Sequence, residues 1–223
     1  MTIDLTKRLQ ALTALNHVRI AALRDYLDTM NGQLQAMAVA CDTQLADAAR
    51  RIADDDERAV FQDYANDRSW DCRVTFPRVL RNSFHVAAVA LLESELLSLA
   101  AQRGVSQAKP FGCNSDKPVF FNDAQKHIES VTGVTFKECA SWKTVDDGRL
   151  IRNAIVHYNG MPSRKMHIES AGKYDLLDEE ALDGWLPLRP VLRVTVTHAY
   201  CMLYLAAIED FFADLLQKTR AYL

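Results

Sequence analysis

Within "GRLIRNAIVHYNG", residues 148–160, an arginine, an asparagine and a histidine stand close together: Arg152, Asn153 and His157. These residue types suit strand cleavage in a polymer that supplies its own nucleophile. RNA is such a polymer: its 2′-OH can attack the neighbouring phosphate, and the reaction then needs a proton acceptor and a cation for the charge that builds on phosphorus. Imidazole titrates near neutrality, so His157 is the candidate base. Arg152 offers a planar, permanently charged fork for phosphate oxygens, and Asn153 can orient the ring or a phosphate. This chemistry calls for no metal and no cofactor, and acidic residues do not cluster at ligand spacing.

The spacing alone says little, because an arginine followed after four to six residues by a histidine recurs at Arg78–His85 and Arg193–His198. Context separates Arg152–His157 from both. Asn153 adjoins the arginine, apolar Ala154, Ile155 and Val156 lie between, and Asn159-Gly160 supplies a left-handed helix stop. On a helix Asn153 and His157 differ by about 40° around the axis, while Arg152 lies about 140° from His157. Arg152 must therefore curl round its helix or border a groove shared with another chain. His157 falls in the last turn, where the helix dipole favours imidazolium. The competing reading is an arginine and a histidine on an ordinary helix surface.

Helical elements must hold this motif. Apolar residues recur at spacings of three and four from Ile20 to Ile52, marking a long amphipathic helix, and its phase carries through Asn31-Gly32, which favours a continuous or kinked helix. That stripe reads as core or as an oligomer seam. Asp54 with Glu57 forms a capping box that opens a shorter helix, completing a hairpin. Pro77 is placed to open a new helix running to Gly104, the central core helix. A loop is expected over residues 104–121, then a short helix capped by Asn122 and Gln125, and then the motif helix from about Ala140 to Asn159. Residues 161–173 read as a second long loop, locally basic through Arg164, Lys165 and Lys173. "WLPLRPVLRVTV" reads as extended packing segments, and a strongly apolar helix, helped to start by His198, closes the chain. Trp70, Trp142 and Trp185 are expected as core anchors, and His85 as a core-edge histidine.

Composition narrows the classes. The chain has 223 residues, 49% of them hydrophobic, enough for one sizeable core. A net charge of −3 is that of an ordinary surface, so any nucleic-acid contact must be local. The five cysteines are widely spaced and never form C-x-x-C, which suggests neither a disulfide framework nor a zinc cage and fits a reducing cytoplasm. "MTIDLTKRLQ" lacks an apolar signal core. The most apolar long stretch, "FHVAAVALLESELLSLAAQ", carries two glutamates, so no membrane association is expected.

"LIRNAIVHYNG", following a core helix of the "ALLESELLSLA" kind, resembles the R-x4-6-H motif of HEPN domains in its RNxxxH form, over roughly residues 70 to 220. The resemblance implies an all-α helical bundle that dimerises with two motif helices facing each other. It also implies a metal-independent endoribonuclease of toxin–antitoxin or phage-defence systems, with Arg152 and His157 as the catalytic pair and Asn153 assisting. A cognate antitoxin or defence partner would accompany it. Some HEPN toxins carry a tyrosine two places after the histidine, where a nucleotidyltransferase modifies them; here Asn159 holds that place and Tyr158 follows His157 directly. Arg164, Lys165, Lys173, Tyr158 and Arg149 are the candidate substrate-binding residues. The expected organisation is an N-terminal long-helix or helical-hairpin extension, residues 1–68, followed by a HEPN-like bundle, residues 69–223. The fold also hosts non-catalytic modules, so a dimeric RNA- or protein-binding module is the alternative.

Overall fold

The computed structural model describes residues 5–103, 121–180 and 191–220. Their architecture is an all-α bundle: α1 (Leu5–Arg51), α2 (Asp55–Trp70), α3 (Phe76–Arg103), α4 (Phe121–Thr132), α5 (Trp142–Tyr158), α6 (Lys165–Gly172) and α7 (His198–Arg220). A small antiparallel ribbon joins β1 (Leu177–Glu180) to β2 (Val191–Val194), with Leu177 opposite Val194. The expected loop over 104–121 lies outside the described residues except for Phe121, and so does Trp185.

α1 runs unbroken through Asn31-Gly32, in keeping with its apolar phase. A Cβ at Gly32 would touch nothing within 4 Å, so this glycine serves no close approach. Asn31 accepts a hydrogen bond from Arg81 of α3 at 2.9 Å. At the other end the Asp54 side chain accepts from the Glu57 amide at 2.9 Å and starts α2 as expected.

Three expectations are corrected. Pro77 does not open a separate helix, because α2 and α3 form one rod through a π turn at Asp71–Thr75. A proline ring strikes the carbonyl four residues back. The wider turn, in which the Phe76 amide reaches back five residues to the Asp71 carbonyl, relieves that clash without ending the helix. Residues 165–172 are not loop but α6. Its buried face is His167, Ser170 and Ala171, at helical spacing but without large aliphatics, so hydrophobic periodicity does not reveal it. Trp70 is not a core anchor: it stands 60% exposed on the α2 surface.

α1 and α5 both pack against α3 and α7, and α4 and α6 flank the bundle through α3 and α5 respectively. Leu92, Leu96, Ile128, Phe136, Ile151 and Phe211 fill the core. Ile20 and Leu27 of α1 belong to the same cluster, and the 68/69 division falls inside the continuous α2–α3 rod. By length and composition that rod could cross a membrane, but 50% of its apolar window is buried inside the fold, as in a core helix.

Candidate active site

α5 is held in place at both ends. At its start Trp142 packs edge-on against Phe136 and stacks with Phe121, with ring centroids 5.2 and 6.1 Å apart. At its end Asn159 and Gly160 adopt positive φ, and the Gly160 amide closes on the Ala154 carbonyl at 3.0 Å, the stop expected from the sequence. Midway, Gly148 lies so close to α7 that a Cβ there would fall 2.0 Å from the Tyr204 ring. Only glycine permits this approach, which carries the α5 backbone down into the core.

That depth lets α5 bond with its neighbours through buried polar groups. His85 of α3 is fully buried, deeper than the core edge expected for it, and its Nε2–H donates to the Gly148 carbonyl at 2.9 Å. Burial, with a smaller push from the Arg152 charge, depresses its pKa to about 4 against the carbonyl's opposing pull, so the ring is neutral. Asp147, 1% exposed, accepts from Lys143 at 2.8 Å, Ser170 at 2.9 Å, Lys173 at 3.0 Å and Tyr174 at 3.2 Å. Burial alone would raise the Asp147 pKa; the hydrogen bonds from Lys143, Lys173 and Ser170 outweigh it and hold the group below the usual carboxylate range. This cluster clamps α6 to α5.

Beside its core-facing residues α5 carries Arg149, Arg152 and Asn153, each partly buried, and the exposed Val156 and His157. Arg152 bonds to Glu93 of α3, and its Nη1 donates to the Asn153 side chain at 3.1 Å. His157 is exposed, and no hydrogen bond from a described residue reaches its ring. Its near neighbour is Tyr158, at 6.4 Å between centroids. Of the three Arg–His intervals this alone presents an exposed imidazole unengaged by the described residues: His85 is buried, and His198, the first residue of α7, bonds to Asp28 at 2.7 Å.

The candidate substrate-binding residues divide. Arg164 is exposed just before α6, and Lys165 is exposed at its first turn, 3.5 Å from Glu169. Lys173 stands at the opposite end of α6, about 12 Å along the axis at 1.5 Å per residue, and is committed to Asp147. Arg149 lies over the Phe121 ring at 3.5 Å, with Asp146 at 3.1 Å. Its guanidinium is thus largely satisfied inside the fold. Tyr158 is half-buried, its ring 5.6 Å from that of His167 in α6.

Sequence reasoning passed over Glu93, Asp147 and Gly148. Glu93 and Glu95 interrupt the most apolar stretch, and each is paired with an arginine, Arg152 and Arg19. A carboxylate inside an apolar helix signals a cation on a neighbouring element. Among the described residues no group of three or more His, Cys, Asp or Glu side chains gathers as metal ligands. No family model, no curated protein and no solved structure matches the chain.

Proposed function

We propose that the chain is a metal-independent endoribonuclease whose site is completed by a second copy at the outward face of α5. The observation that carries this reading is His157, exposed and without a hydrogen bond from the described residues, at the end of the helix that also carries the Arg152–Asn153 pair. His157 takes the proton from a 2′-OH as the oxygen attacks phosphorus. The P–O5′ bond breaks and the departing 5′-oxygen takes a proton from solvent, leaving a 2′,3′-cyclic phosphate and a 5′-OH end, while His157 later returns its proton to water. Arg152, already desolvated in part, stabilises the equatorial oxygens after a phosphate displaces Glu93. Within one chain Arg152 and His157 do not touch. Val156, next to His157 and 50% exposed, is the apolar contact that a two-fold partner would cover. By its resemblance to HEPN domains the enzyme belongs to a cytoplasmic toxin–antitoxin or phage-defence system.

The test is cleavage of single-stranded RNA by the purified chain in EDTA, with DNA of the same sequence as control. RNA is cut and DNA, lacking the nucleophile, is spared. His157→Ala and Arg152→Ala each lower the rate by about 10²–10⁴-fold, the usual range for loss of acid–base or charge assistance, while light scattering shows the dimer intact. If the chain forms the dimer and binds RNA without cutting any, with Arg152 and His157 as interface residues, it is the binding module instead.

A further inference from the structure

α2 is the helix with least to hold it. Of its sixteen residues only Ala65 is buried, while Val60 is 74% exposed and Tyr64 55%. Val60, Phe61 and Tyr64 form an apolar stripe at helical spacing, with the Phe61 and Tyr64 rings 6.0 Å apart. With Ile52 from the end of α1 they line an open groove of about 600 Å³ whose remaining walls are Asp56 and Glu57. An apolar stripe in which Val60 and Tyr64 stand exposed beside a partly covered Phe61 is a standing drive toward association.

Charge decides what covers it. α2 carries Asp55, Asp56, Glu57, Asp63 and Asp67 against Arg58 and Arg68. Both arginines are spent locally: Arg58 bonds to Asp55 and to the Ile52 carbonyl, each at 2.7 Å, and Arg68 faces Asp71 at 3.9 Å. The groove therefore presents apolar surface in a net negative field. A second copy would bring the same acidic helix, and RNA or an anionic lipid surface would be repelled.

We infer that the α1–α2 end is a docking groove for a protein partner that offers a cationic amphipathic helix, with apolar residues at i, i+3 and i+4 seated on Val60, Phe61 and Tyr64 and lysines or arginines against Asp56, Glu57 and Asp63. The inference is independent of the nuclease reading, because none of these residues belongs to the α5 site. It gives the N-terminal hairpin a role of its own: recruitment of a helical protein partner to the chain.

The probe is a fluorescein-labelled 20-residue peptide with leucine at i, i+3, i+4 and i+7 and lysine on the flanking positions. Two control peptides replace every lysine by glutamate or shuffle the order. Anisotropy with the full chain should show saturable binding of the ordered lysine peptide, weakened by salt, and tenfold or more weaker binding of both controls. Val60→Ser with Tyr64→Ser should weaken binding at least tenfold, and Asp56→Asn, Glu57→Gln and Asp63→Asn together should flatten the salt dependence. All five positions are on the helix surface, and an unchanged melting temperature certifies the fold. Absence of saturable binding overturns the proposal, as does equal binding of the shuffled peptide or indifference to the Val60/Tyr64 change. Self-association abolished by Val60→Ser with Tyr64→Ser assigns the groove to a second copy and overturns it too.

Discussion

The Arg152 guanidinium is bonded to Glu93 of α3 and not to His157 of its own helix. One of the two residues singled out by sequence spacing is thus engaged by a third that spacing does not reveal. Both members of the pair are about three-quarters buried, with side chains 21% and 28% exposed, so the carboxylate competes for Arg152 with any incoming phosphate at reduced dielectric. Glu93→Gln keeps the shape and removes the competing charge. RNA affinity measured by titration at fixed salt should rise several-fold. A fall in affinity would instead make Glu93 a residue that positions Arg152 for the phosphate.

The basic residues of α6 should separate by position. Arg164→Gln with Lys165→Gln removes two exposed charges at the His157 end of the motif and should lower the salt slope of RNA binding by about 1.4, at roughly 0.7 per phosphate contact on a single strand, with no change in melting. Lys173→Met should do the reverse, because it withdraws one cation from the buried Asp147 carboxylate. A loss of about 1 kcal/mol, near 3 °C in melting temperature for a chain of this length, is expected with an unchanged salt slope. Equal salt effects from both ends of α6 would place Lys173 in the RNA path.

How much of this was legible follows from which residues do the work. α1, the capped start of α2 and the Asn159-Gly160 stop are set by local pattern and turn chemistry, and they read directly. The Pro77 π turn does not, because a start proline and a tolerated interior proline differ only in whether the preceding turn widens. α6 was hidden because its inward face is His167, Ser170 and Ala171, held by the Asp147 cluster and not by aliphatic bulk. Lys143 apart, Asp147, Glu93 and His85 act through partners 23 to 63 positions away in sequence, and no helical period encodes such pairings.

Buried His85 predicts a defined acid sensitivity. The unfolded chain binds a proton at the ordinary 6.5, while folded His85 waits until about pH 4. Its contribution is therefore complete above pH 6.5, falls as pH drops toward 4, and then levels off, for a total of roughly 3 kcal/mol. His167 is lowered by burial and by Arg164 and adds in the same direction. Asp147, Asp214 and Glu209, whose pKa values are depressed, lose their contributions only below the usual carboxylate range, outside most of this window. Urea unfolding from pH 7 to 4.5 should show stability falling steadily, and His85→Gln should shrink that fall by more than half. An identical slope in the variant would mean that the ring is protonated in the fold.

The proposed composite site makes a sharper demand than loss of activity in single variants. If Arg152 of one chain works with His157 of its two-fold mate, dimers of Arg152→Ala have no complete site, and neither do dimers of His157→Ala. A mixed dimer of the two has one site with both residues intact and one with neither. Equimolar mixing with free subunit exchange makes half the dimers mixed, so roughly a quarter of wild-type activity should return. If the pair acts within one chain, every site in the mixture still lacks one member and nothing returns. The assay is RNA cleavage in EDTA by the two inactive variants, co-refolded or incubated until exchange is complete, with each variant alone as baseline. Recovery should grow with the mixed fraction and vanish when Val156→Asp places a charge at the centre of the proposed seam. Recovery that persists in the Val156 variant would move the two-fold contact off α5, and a flat baseline at every ratio would leave Arg152 and His157 without the partnership that the proposed mechanism requires.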